Sequence, residues 1–167
     1  MYTALDREQL LIKIIEFVKN GFEFEGLLQI GSGAGGFADI YSDIDLMAGC
    51  YSVDSVGEAA KELQTFFDAL GACYIESRRW TATALGYSVY FENGLSIDLS
   101  FMPTDEIPIK SPQYKVLLSK TDKFVNIILQ SAERFEKQYE KYGVDNSMIY
   151  STRTQGLIIQ KLRELNF

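Results

Sequence analysis

Residues 27–46 read LLQIGSGAGGFADIYSDIDL. An apolar run ends in a glycine-rich turn, a polar stretch follows, and a second β pattern carries two aspartates. The pattern predicts a buried strand, a turn and a second strand. A strand running into Gly31-Ser32 delivers backbone N–H groups and a hydroxyl where an anionic group can sit. Asp43 and Asp45 lie two apart, so on a strand both carboxylates face one side while Ile44 and Leu46 face the other, into a core. Cα atoms at that separation are roughly 6.5–7 Å apart. The spacing suits two carboxylates gripping one metal, or a metal pair roughly 3.5–4 Å apart. An anion cradle followed by a carboxylate pair points to chemistry on a metal-chelated nucleotide.

Working outward, the whole chain bounds that reading. At 167 residues it is long enough for one domain with a real core and a small appendage. No apolar run approaches the ~20 residues that a membrane span needs. The first residues, MYTALDREQLLIKII, lack a basic region followed by an apolar stretch and a cleavage site, so the expected location is cytoplasmic. Cys50 and Cys73 lack metal-ligand spacing and are expected to be reduced thiols. A net charge of −7 argues against holding nucleic-acid backbones over a broad surface. It suits a cationic small molecule or a metal-chelated nucleotide. The chain has no histidine, which excludes Ser-His-Asp catalysis, HExxH zinc sites and histidine phosphotransfer. A general base must then be a carboxylate, or a tyrosine or lysine of unusual pKa.

Leu5–Lys19 carries Leu10, Leu11, Ile14, Ile15 and Val18 on one helical stripe, with Asp6 as the expected N-cap and Asn20-Gly21 as the stop. Phe24–Ile30 leads into the first strand. Within the loop Gly31–Ser42, a flexible surface loop is the plain reading of four glycines; the aspartate pair downstream favours a phosphate cradle. Asp39, out of register with that pair, reads as solvated or as a cap. Ser55–Leu70 is a second helix, stopped by Gly71, and Ala72–Glu76 a short strand. Arg78, Arg79 and Trp80 follow it. They read as a solvated strand end with one packed aromatic, or alternatively as a phosphate partner and a stacking surface.

Tyr87–Phe101 reads as a hairpin around Asn93-Gly94, the signal for a type I′ turn. On its returning strand Leu95, Ile97, Leu99 and Phe101 share one face, and Ser96, Asp98 and Ser100 the other. A carboxylate in mid-strand needs a partner: an arginine such as Arg78 or Arg79, or an ion shared with Asp43 and Asp45. Thr104–Pro112 reads as a loop and Lys115–Leu118 as a short strand. Lys120 and Lys123 are candidate phosphate partners, although exposed lysines usually mean only solubility. Asp122–Tyr142 reads as an amphipathic helix ended by Gly143, and 152–165 as a last helix.

Gly31-Ser32, ten intervening residues, then Asp43-Ile44-Asp45-Leu46, with a later Asp98, resembles the signature of the nucleotidyltransferase superfamily, the DNA polymerase β-like fold. The likeness covers roughly residues 25–105. The order of segments through GYSVYFENGLSIDLSFMP to YKVLLSK is similar to the N-terminal domain of streptomycin-type aminoglycoside adenylyltransferases. The resemblance implies an α+β fold: a mixed central β-sheet flanked by helices, with a core domain at 1–120 and a short C-terminal helical segment at 121–167. It implies Asp43, Asp45 and Asp98 as catalytic residues and ligands of two Mg²⁺ ions, and Gly31, Ser32, Gly33 and Ser42 as the nucleotide-binding set. Its substrate would be ATP or another nucleoside triphosphate, and its acceptor a small cationic molecule such as an aminoglycoside. A weak nucleotide- or partner-binding module, or a minimal nucleotidyltransferase acting on a protein or tRNA, are the alternatives.

Two departures from that family stand out. Many small members read Gly-Ser-x-Ala-Arg-Gly, and the arginine position here holds Gly35, which removes a bidentate phosphate donor. The helical C-terminal part is also short, so either a second subunit, as in a homodimer, closes the cleft or the acceptor side stays open.

Overall fold

A computed structural model describes residues 1–36, 42–111 and 113–141, the last three as backbone only. Asp39, Pro112, Tyr142, Gly143 and the helix read over 152–165 lie outside the described residues. The elements run α1 (Ala4–Asn20), β1 (Phe24–Ile30), a 3-10 turn (Gly31–Gly35), β2 (Ile44–Cys50), α2 (Val53–Ala69), β3 (Ala72–Arg79), β4 (Leu85–Phe91), β5 (Ser96–Pro103), a second 3-10 turn (Thr104–Glu106), β6 (Tyr114–Ser119) and α3 (Asp122–Lys141). The six strands form one mixed sheet in the order β3-β4-β5-β2-β1-β6. Only β2 and β5 run parallel; every other neighbouring pair is antiparallel. This is the α+β architecture expected from the sequence.

One face of the sheet meets α1 and α2. Leu10, Ile14 and Val18 from α1 and Val56, Ala59, Leu63 and Phe67 from α2 pack on Leu27, Ile44, Leu46, Ile97, Leu99 and Phe101. Phe17 and Phe66 stack at 4.2 Å where the two helices adjoin. The opposite face is covered on one side by α3. There the Phe124 ring seats on Gly26 and Gly49, which are register partners on β1 and β2. A Cβ at Gly26 would lie 2.5 Å from that ring and one at Gly49 2.7 Å, so the two glycines form the notch that docks α3. Thr121 accepts from Phe124 N–H at 3.2 Å and donates to buried Glu25 at 2.6 Å, tying the start of α3 to β1.

Several local expectations change. The N-cap of α1 is Thr3; its side chain accepts from Asp6 N–H while Asp6 accepts from the Thr3 N–H, a capping box with Asp6 at the third helical position. The β3 strand runs on through Arg78 and Arg79, because both residues pair with β4. The hairpin loop spans three residues, Glu92–Gly94. Gly94 N–H donates to Phe91 C=O and Gly94 itself takes φ +89°, the geometry of a bulged three-residue loop instead of a two-residue type I′ turn. Residues 104–111 are not a plain loop: β5 passes into a 3-10 turn, and buried Ile107 and Ile109 follow.

Candidate active site

The parallel pairing of β2 with β5 sets Asp45 beside Asp98, as Cα partners. In-register neighbours on adjacent strands point to the same side of a sheet, so both carboxylates share a face. Asp43 precedes β2 by one residue and lies at the same end; it accepts a hydrogen bond from the Ser96 hydroxyl of β5. Asp98 accepts from the Ser88 hydroxyl of β4. The three aspartates named from the sequence therefore gather on one side of the β2–β5 pair. Asp98 makes no salt bridge to either nearby arginine: Arg78 pairs with Glu76 at 2.7 Å, and Arg79 donates to the Ala82 carbonyl at 3.0 Å.

Gly31 closes the other side of Asp45. It takes φ +67°, and a Cβ built there would lie 2.6 Å from Asp45 Oδ2. Both the left-handed backbone and the closeness of that carboxylate require glycine. Ser32 and Gly33 continue the turn, Ser32 half-buried and Gly33 buried. Ser42 stands just ahead of Asp43, its carbonyl accepting from Arg7 Nη1 at 3.2 Å. Gly35 is exposed, and a Cβ there would meet nothing within 4 Å.

Asp45 is half-buried. Burial, with the negative charges of Asp98 and Asp43 alongside, pushes its carboxyl up to about 6. Such surplus negative potential is what a bound cation relieves. The available donors are hard carboxylate oxygens, the kind that suit Mg²⁺. Among the described residues no three acidic or sulfur side chains already converge as a metal cage. The serine donors hold Asp43 and Asp98 each on its own partner. The residues fit a divalent ion by chemistry and by side of the sheet.

Beside Asp45 opens a cleft of about 230 Å³. Ile30, Met47, Pro108 and Ile109 give it an apolar lining, which Gly31, Asp45, Lys110 and Ser111 complete. On the other side of Asp98, over β4 and β3, exposed Tyr74 and Tyr90 form a ring pair at 6.0 Å, and Trp80 lies with its indole over Gly86. Lys120 and Lys123 are both engaged elsewhere, Lys120 with the Gly21 carbonyl and Lys123 with Asp105 at 3.2 Å.

Sequence reasoning passed over Arg7, Ser88 and Lys110. For Arg7 the signal was available: it stands three residues before Leu10 and seven before Ile14, on the stripe that faces the sheet, and is buried. Ser88 and Lys110 reach the site only through strand order and the path of residues 104–111, which no local pattern encodes. Cys50 is a buried free thiol pushed up to about 12 by burial, and Cys73 a free thiol at the surface. No described helix is long and apolar enough to cross a membrane.

No protein-family model matches this chain, and no curated protein matches it. Solved structures to which this chain is similar include three, each at a TM-score of about 0.4. One is an aminoglycoside 6-adenyltransferase from Bacillus subtilis, at 17% identity and a TM-score of 0.40, covering 56% of this chain and 33% of that one. Another is a toxin-antitoxin structure with AMP-PNP, at 14% identity and a TM-score of 0.40, covering 85% and 97%. A third is terminal uridylyl transferase 4 from Trypanosoma brucei with bound UTP and UMP, at 12% identity and a TM-score of 0.41, covering 87% and 48%. The chain thus spans about a third of the adenyltransferase and about half of the uridylyl transferase.

Proposed function

We propose that the chain is a Mg²⁺-dependent nucleotidyltransferase. It moves a nucleoside monophosphate, AMP from ATP, to a hydroxyl of a small cationic acceptor such as an aminoglycoside. The observation that carries this reading is the side-by-side register of Asp45 and Asp98 with Gly31 pressed against Asp45. Asp43, Asp45 and Asp98 would hold the metal, which when bound neutralises charge on the triphosphate and on the departing pyrophosphate. Ser32 and the N–H groups of Gly31–Gly33 hold the outer phosphates. Asp98, exposed toward the open face over β4, takes the proton of the acceptor hydroxyl. The acceptor oxygen bonds to the α-phosphorus, the α–β bridging P–O bond breaks, and pyrophosphate leaves. The exposed aromatics Tyr74, Tyr90 and Trp80 offer π faces to a cationic acceptor on that side.

A second reading, a nucleotide-binding module of weak activity, draws on Gly35 and on the lack of a preformed ligand cage among the described residues. One assay separates the two. Pyrophosphate release is followed with each of the four nucleoside triphosphates, with and without Mg²⁺, against aminocyclitols, a cell lysate and tRNA. Metal-dependent release with a small amine acceptor supports the transferase. Label entering protein or tRNA redirects the acceptor. Tight Mg²⁺-nucleotide binding without release from any acceptor supports the module.

A further inference from the structure

The arginine missing at Gly35 leaves the outer phosphates of a nucleotide without a cation from the glycine-rich turn. Five of the described cations are engaged elsewhere. Arg7 donates to Ser42, Arg78 pairs with Glu76, Arg79 donates to Ala82, Lys120 to Gly21, and Lys123 pairs with Asp105. Lys110 differs. It is exposed and lines the cleft that Gly31 and Asp45 also line.

Its position is built, although residues 107–111 lack regular structure. Ile107 and Ile109 are buried. Ser131 of α3, itself buried, accepts from the Ile109 N–H at 2.9 Å and donates to the Ile107 carbonyl at 3.1 Å. Ile107 N–H in turn donates to the Thr104 carbonyl at 3.2 Å. Both backbone groups that clamp the segment are satisfied by one hydroxyl, so Lys110 projects from a fixed stalk.

The charges on the two walls do not meet. No ion pair joins Lys110 to Asp45 among the described residues, although both line the same cleft. The apolar side chains of the lining, Ile30 and Met47 among them, offer neither charge a partner. A ligand that completes the gap presents a cation to the carboxylate and an anion to the ammonium. A metal-chelated phosphate chain does both.

We infer that Lys110 is the phosphate-binding cation of this site, holding the β- and γ-phosphates of the nucleotide in place of the arginine that Gly35 replaces. The assignment rests on the nucleotidyl-transfer reading. It makes Lys110 a substrate-binding residue and residues 107–111, with Ser131, its support.

Calorimetric titration with Mg²⁺ and a nonhydrolysable ATP analogue, and separately with AMP, tests it on the wild type, Lys110→Met, Lys110→Arg and the double variant Lys110→Met/Gly35→Arg. Circular dichroism checks that each is folded. Lys110→Met weakens the triphosphate analogue by about 10- to 100-fold, the value of a charge-assisted contact, and AMP by less than about threefold. Lys110→Arg keeps most of the affinity. Because Gly35 faces open space, Gly35→Arg in the Lys110→Met background recovers about tenfold or more. Equal losses for AMP and the triphosphate, or no loss for either, overturn the assignment of Lys110 and leave nucleotidyl transfer standing. A wild type that binds no Mg²⁺-nucleotide sinks the transferase reading, and Lys110 with it.

Discussion

The two faces of the β2–β5 pair are made by alternate residues of the same strands, yet they serve opposed ends. On the helix-covered face Ile44, Leu46, Ile97 and Leu99 are 0–1% exposed and bury entirely apolar surface. On the other, Asp43, Asp45 and Asp98 gather like charges that repel one another. A one-residue slip of either strand would exchange the faces, so the apolar set fixes the register that the polar set needs. The helix-covered face supplies the stability, and the polar face draws it down.

Four experiments break or sharpen that contrast. The largest effect falls on chemistry: Asp45→Asn or Asp98→Asn lowers metal-dependent pyrophosphate release by about 10³-fold or more while leaving the far-ultraviolet circular dichroism unchanged. A variant that keeps full turnover would take the carboxylates out of the reaction. Next comes the apolar face. Ile97→Ala costs about 2–5 kcal/mol in urea unfolding, since Ile97 is fully buried between strands and helices.

The third effect has the opposite sign. Between about pH 4 and 6 the folded chain keeps a proton on Asp45 that the unfolded chain has released. Stability contributed at this group therefore falls as pH rises through that window and is lowest above it. Asp45→Asn is accordingly more stable than wild type at pH 7 to 8, by about 1 kcal/mol after allowing for solvent screening of a half-exposed group. The gain fades toward pH 4, and Mg²⁺ raises the melting temperature of wild type more than that of Asp45→Asn. A gain independent of pH would mean that charge on Asp45 is not its source. The smallest effect is expected at Ser88→Ala, about 1 kcal/mol or less from loss of the hydroxyl bond to Asp98, read by thermal melting.

The sequence made both strands of the aspartate pair legible because each repeats with period two. Asp43, Asp45 and Asp98 all fell on the polar side of an alternating pattern, and the apolar run at 27–30 lies within the first strand, Phe24–Ile30. What stayed hidden was set by non-local partners. Nothing local marks Gly26 and Gly49 as the seat of the Phe124 ring. Lys110 follows two prolines and an irregular segment, and only the Ser131 clamp from α3 fixes where it stands. Lys120 and Lys123, named as candidate phosphate partners, are engaged with Gly21 and Asp105. Thr3 outcompeted Asp6 as the cap because Asp6 completes the reciprocal bond from within the helix.

The parallel pairing of β2 with β5 also has a kinetic corollary. Between them the chain makes α2 and the β3–β4 ribbon, so Asp45 and Asp98 meet only after a long excursion has closed. Pairing across so long a loop closes slowly, because chain entropy is lost before the contact is gained. A divalent ion that held both carboxylates would bind only chains in which that excursion has closed, and so would stabilise the native state over the unfolded one.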